Sequence, residues 1–144
     1  DLKNLLSAYE VPSFTDGTVA DATYTINLST LNYIIVGPKT DDAKILAQFP
    51  APGVKVARES TIVLFTDVDA TISQVRMPDL EGLSLEDAHA TLVGMGLNMR
   101  AFSLGTVVGQ SIEAGTYIDK GSVIELDVID DESANAGNDA VTEN

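Results

Sequence analysis

The 144-residue chain carries 22 acidic against 8 basic side chains, a net charge of −14, with 44% hydrophobic residues and no cysteine. That charge speaks against nucleic acid or an anionic membrane surface as partner, and stability has to come from packing, since no disulfide is available. No apolar run is long enough to span a membrane, and a chain that starts at Asp1 without Met reads as a piece of a longer protein.

In chain order, residues 1–9 place Leu2, Leu5, Leu6 and Tyr9 at helical spacing. This is either a short amphipathic helix that needs a surface to pack on, or a linker or remnant of an upstream domain. Thr18 with Asp21 three residues later forms a helix N-cap pair, and Val19, Ala22 and Ile26 give the following helix one apolar stripe. Pro38, Lys39, Asp41 and Asp42 mark a surface loop within residues 37–47. Ala51-Pro52-Gly53-Val54 suits a type II turn, and Ser60 to Leu64 reads as a strand. Residues 69–76 are expected to be a linker. Asp67-x-Asp69-x-Thr71 lacks the glycine and the terminal Glu of a calcium loop, so no metal is expected there.

From Met77 the same template returns more clearly. Ser84 and Asp87 repeat the cap pair, Leu85, Ala88, Leu92 and Met95 repeat the stripe, and Gly94 and Gly96 supply a stop before a strand opening at Leu97. A shift of 66 residues lays Pro12, Ala22 and Leu31-Asn32 on Pro78, Ala88 and Leu97-Asn98. Further on, a shift of 62 lays Gln48…Gly53 on Gln110…Gly115 and Ser60 to Leu64 on Ser122 to Leu126. The first copy therefore holds four extra residues within 37–47. Thr30 stands where Gly96 stands, and Asp16-Gly17 replaces Glu81-Gly82 one residue out of register. An internal repeat of this length means two small modules rather than one domain, with residues 10–68 as the first and 77–129 as the second. Residues 130–144, acidic and nearly free of large apolar side chains, are expected to be disordered.

The Pro start, the capped helix, the Leu-Asn strand entry, the Gln-x-x-x-x-Gly turn and the last alternating strand together resemble the PASTA module of bacterial cell-surface proteins. The resemblance implies an α+β fold: two β-α-β-β units in tandem, each one helix packed on a three-stranded sheet. It implies binding or spacing rather than turnover, on the extracellular face of the membrane, in the cell wall, with a parent protein anchored by an N-terminal helix outside this sequence. The parent would be a class B penicillin-binding transpeptidase of peptidoglycan synthesis, in cell division or sporulation. The alternative is a muropeptide- or β-lactam-sensing region of a Ser/Thr kinase.

The last strands of the two copies differ. Ile124, Leu126 and Val128 alternate with Glu125 and Asp127, the pattern of a sheet with one wet face. In the first copy Val63 and Phe65 replace the two acids and Ile34 stands where Arg100 stands, so both faces are apolar. Ile34, Val63 and Phe65 are expected to form an interface covered by residues 1–9, by the second copy or by an upstream domain. Arg100, Gln110 and Glu113, near the Gln-x-x-x-x-Gly turn, are the expected contacts for a peptidoglycan stem peptide. Anionic wall polymers are repelled at a range of about 8 Å in physiological salt. Expected partners are therefore the upstream catalytic domain, cell-wall synthesis proteins or a stem peptide.

No enzyme is expected in this stretch. His89 is the only histidine, about 40° from Leu85 on the helical wheel and so a boundary residue; no His-based metal cluster or Ser-His-Asp triad can be assembled from one chain. No Ser-x-x-Lys occurs, so the acylation machinery of a transpeptidase is absent. No cofactor is expected.

Overall fold

The computed structural model describes residues 2–130; the stretch expected to be a disordered tail lies, from residue 131 onward, outside the described residues. A 3-10 helix (Leu2–Leu6) leads into the first module: β1 (Tyr9–Glu10), α1 (Val19–Asn27), β2 (Asn32–Val36), β3 (Ala47–Phe49), β4 (Lys55–Val56) and β5 (Thr61–Phe65). The second repeats it as β6 (Gln74–Arg76), α2 (Leu85–Gly94), β7 (Asn98–Arg100), β8 (Thr106–Gln110), β9 (Tyr117–Asp119) and β10 (Val123–Ile129). In each, the last strand is central. β2 and β7 run parallel to β5 and β10, which the chain reaches through β3–β4 and β8–β9, while β3 and β8 pair with them antiparallel. A two-stranded antiparallel ribbon, β1 with β4 and β6 with β9, closes each module. The fold is α+β, two similar modules with one helix on a three-stranded sheet, as the resemblance implied. The ribbons are additional, and β6 forms inside the stretch taken for a linker.

Both helices begin where the cap pairs put them. Thr18 Oγ1 accepts from the Asp21 amide at 3.2 Å and Ser84 Oγ from the Asp87 amide at 3.1 Å. Their stripes face the sheet: Val19, Ala22 and Ile26 pack on Ile62 and Leu64, and Leu85, Ala88 and Leu92 on Ile124 and Leu126, all buried. At the end of α2, Gly96 rather than Gly94 takes the positive φ, +75°. The insertion lies within residues 37–42. Pro38, Lys39, Asp41 and Asp42 are exposed there, as a surface loop, while Ile45 is fully buried at the place of Val107, and the carbonyls of Asp41 and Ala43 accept from the first amides of α1. Those amides have no partner inside the helix, so the loop satisfies them.

The modules share their cores. Leu5 and Ala57 are buried in the second core, and Val123 packs against the first. The N-terminal 3-10 helix thus seats on α2, across the chain from its nearest neighbours in sequence. Full burial of a leucine is worth about 2 kcal/mol, which is what orders a segment too short to hold itself.

Candidate functional site

The repeat makes each position its own control. Gln48 and Gln110, first residues of the Gln-x-x-x-x-Gly turns, make identical bonds. Gln48 Oε1 accepts from the Phe14 amide at 2.7 Å, and its Nε2 donates to the Pro12 and Pro50 carbonyls. Gln110 Oε1 accepts from the Leu80 amide at 2.9 Å, and its Nε2 donates to the Pro78 and Ile112 carbonyls. Each carboxamide therefore clamps the Pro-initiated loop to the sheet, with both N–H groups engaged. Among the residues expected to meet a stem peptide, Gln110 and Glu113 share a shallow hollow of about 480 Å³ with Asp79, Glu81, Ser111 and Ala114. Its charged members are all acids. Arg100 lies elsewhere: it is on β7, and Gln110 is on β8, flanking β10 on opposite sides, two strand spacings or roughly 10 Å apart. Its guanidinium stands 4.6 Å over the Phe102 ring, and Nη1 is buried with no hydrogen-bond partner among the described residues.

A second constellation lies where the modules meet. Asn98 is 1% exposed. Its Oδ1 accepts from the Thr61 amide at 2.6 Å and its Nδ2 donates to the Thr61 carbonyl at 2.9 Å, so the carboxamide pairs with β5 as a neighbouring strand would, just below the reach of β3. The remaining N–H donates to the Gly121 carbonyl at 3.0 Å. Beside it the Ala57 amide donates to the Met99 carbonyl at 2.9 Å, and His89 Nε2 lies 2.9 Å from the Arg58 carbonyl. His89 Nδ1 is 3.9 Å from Glu59 Oε1. His89 is thus buried in the seam rather than a boundary residue; helical-wheel position could not show that a second module covers it. Asn98 carries no sequence signal beyond its place in the repeated Leu-Asn pair.

Of the three residues expected at an interface, Val63 is fully buried, and Ile34 and Phe65 are half-buried. A methyl group on Gly121 would come within 3.0 Å of Val63 Cγ2 and 3.1 Å of Phe49 Cδ2, and one on Gly96 within 3.8 Å of Ile34 Cδ1. The second module's turn therefore sits directly on the outer sheet face of the first. Gly121 has φ +89° and Gly82 φ +93°; the first module fills these positions with Glu59 at +66° and Asp16 at +75°. Aspartate is among the side chains that tolerate that region best, and of the two glycines only Gly121, in the seam, is also closely approached.

Nothing in either constellation resembles a reaction centre. Among the described residues no group of three or more His, Cys, Asp or Glu side chains could hold a metal ion, and no helix is long and apolar enough to cross a membrane.

The chain is similar to a number of solved structures. Penicillin-binding protein 2X from Streptococcus thermophilus is 18% identical over 86% of this chain and 17% of its own, with a TM-score of 0.36. The three-PASTA-domain of a Ser/Thr kinase from Staphylococcus aureus is 21% identical over 83% and 65%, at 0.33. The entire extra-cellular region of the Ser/Thr kinase PrkC from Staphylococcus aureus is 22% identical over 81% and 45%, at 0.33. The chain spans less than two thirds of each. The family model for the PASTA domain matches residues 9–68 and again 75–130, most of the chain, which therefore belongs to the PASTA family as two PASTA domains in tandem.

Proposed function

We propose that this pair is the non-catalytic C-terminal PASTA region of a penicillin-binding transpeptidase of peptidoglycan synthesis, outside the cell membrane, working as a rigid scaffold that contacts the catalytic domain or a partner protein. PASTA domains are in general non-catalytic binding modules, and relatives of this fold occur in a penicillin-binding protein and in Ser/Thr kinases alike. The observation that carries the scaffold reading is the seam. Asn98, Ala57 and His89 tie the modules through buried hydrogen bonds, so the pair presents one shape to whatever it meets. The hollow at Gln110 supports the same reading from the other side, since the carboxamide is committed to backbone and Asp79, Glu81 and Glu113 repel an anionic wall polymer.

The rival reading is a muropeptide sensor, with Gln110 and Glu113 lining the ligand site and Arg100 outside it. Titrating the labelled chain with a synthetic disaccharide stem peptide separates the two. Unchanged amide shifts at Gln110, Ser111 and Glu113 are expected; specific, saturable shifts there would overturn the scaffold reading. The coding sequence upstream of Asp1 decides the parent, since a Ser-x-x-Lys motif is expected there and a kinase domain would refute the assignment.

A further inference from the structure

The seam uses one particular surface of the second module, and the equivalent surface of the first is open. On the second module, the groove between α2 and the edge strand β7 receives residues 57–58: the Ala57 side chain is buried in the core, its N–H meets the Met99 carbonyl, and the Arg58 carbonyl meets His89. The matching groove on the first module runs between α1 and the edge strand β2. It is a cavity of about 530 Å³ lined by Val19, Thr23, Tyr33, Ile34, Ile35, Lys39 and Asp41. Tyr33 stands where Met99 stands and Thr23 where His89 stands. Met99 is 1% exposed and Tyr33 37%. Strand β2 has no sheet neighbour on its outer side among the described residues, so its edge is an unused template for main-chain pairing.

The occupant can be narrowed. A whole module seated as the second sits on the first would need glycine at the point of closest approach, Gly121, and the first module offers Glu59 instead. The tight turn contact is therefore lost while the strand contact is kept. Thr23, smaller than His89 and with its hydroxyl turned back on the Val19 carbonyl at 2.9 Å, leaves room for more than a methyl group. A net charge of −14 favours a segment with basic flanks.

We infer that the groove between α1 and β2 is a docking site for an extended polypeptide segment of the kind residues 56–58 represent, with an apolar side chain entering the cavity, its own N–H bonded to the Tyr33 carbonyl, and basic residues on either side. This rests on the protein-contact reading above and names the surface that makes the contact.

The test adds an end-blocked peptide of residues 53–60, Gly-Val-Lys-Val-Ala-Arg-Glu-Ser, in trans to the labelled full chain. Amide shifts at Thr23, Tyr33, Ile34, Ile35 and Lys39 are expected, half-saturating at about 1 mM because so short a strand buries little area. The same peptide N-methylated at Ala57 keeps its charge and loses the donor, and binding about fivefold weaker or worse is expected. No shifts at these residues, shifts confined to β7, equal binding of the N-methylated peptide, or equal binding of a scrambled peptide would each overturn the inference. The stem-peptide titration reads residues of the second module and this one residues of the first, so either can fail alone.

Discussion

The two modules fold by the same bonds and differ on one face. Gln48 and Gln110 hold their loops through the same three bonds each, and Asn32 and Asn98 both donate from Nδ2 to the carbonyl of the matching turn, Glu59 in one and Gly121 in the other. Beyond that they part. Asn98 uses its remaining donor and its acceptor on Thr61 of the other module, whereas Asn32 is exposed. Thr23 against His89, Thr30 against Gly96 and Glu59 against Gly121 belong to the same surface. Differences gathered on one face of otherwise equivalent units show where each unit meets something different. The second module meets the first; among the described residues nothing meets the first module there.

The harshest way to break that comparison is Val63→Asp. A carboxylate at a fully buried position is expected to cost about 3 kcal/mol or more and to part the modules. Chemical denaturation and a larger radius of gyration by small-angle scattering check it. The mirror change Glu125→Val, at an exposed position of the second sheet, is expected to stay within about 0.5 kcal/mol. If both changes cost the same, the two outer faces are not different after all.

Gln110→Leu comes next. It strips partners from the Leu80 amide and from two carbonyls in a half-buried site, and a loss of about 2 to 3 kcal/mol in urea unfolding is expected. Gln48→Leu should match it in the first module. A loss below about 0.5 kcal/mol in both would mean that the carboxamides do not hold these loops, and would leave Gln110 free for a ligand.

Much of this contrast could be read before the fold was known, and the remainder could not, for physical reasons. The cap pairs Thr18-Asp21 and Ser84-Asp87 act through atoms three residues apart, so local spacing sufficed to start both helices correctly. The apolar pair Val63 and Phe65 signalled a second covered face, because alternation along a strand reports burial on each side separately. Which element covers it depends on contacts between Gly121 and Val63, distant in sequence, and no local pattern carries that. The glutamines show the same limit: a turn motif marks Gln110 as special, but only the path of the Pro78 loop shows that its amide faces backbone rather than solvent. Leu5 was legible as one side of an amphipathic segment, and its seat on α2 was not.

Asn98→Ala and Asn32→Ala sharpen the comparison at a single atom pair. The first leaves the Thr61 amide and carbonyl buried without partners and is expected to cost about 2 kcal/mol; the second removes one exposed bond to Glu59 and should cost less than about 1 kcal/mol. Equal losses would mean that Asn98 serves its own turn only and that the seam bonds are incidental.

The smallest effect discriminates most finely, because two opposed terms meet in it. Gly121→Ala places a side chain at φ +89° and drives a methyl to within 3.0 Å of Val63 Cγ2, next to Phe49. Left-handed backbone costs a non-glycine residue roughly 1 kcal/mol, the crowding adds to it, and a total of about 1 to 2 kcal/mol is expected. Glu59→Gly reverses the same substitution in the other module. It relieves φ +66° and so gains about 1 kcal/mol, but frees the unfolded chain by an amount of the same order. It also gives up contacts of a half-exposed carboxylate with Arg58 at 3.8 Å and His89 at 3.9 Å, which at a surface are worth less than about 1 kcal/mol. The expected sum lies within about 0.5 kcal/mol of zero. A loss above 1 kcal/mol for Glu59→Gly would place Glu59 among the bonds that join the modules, and the seam would then draw on the first module's charge as well as on the second module's glycine.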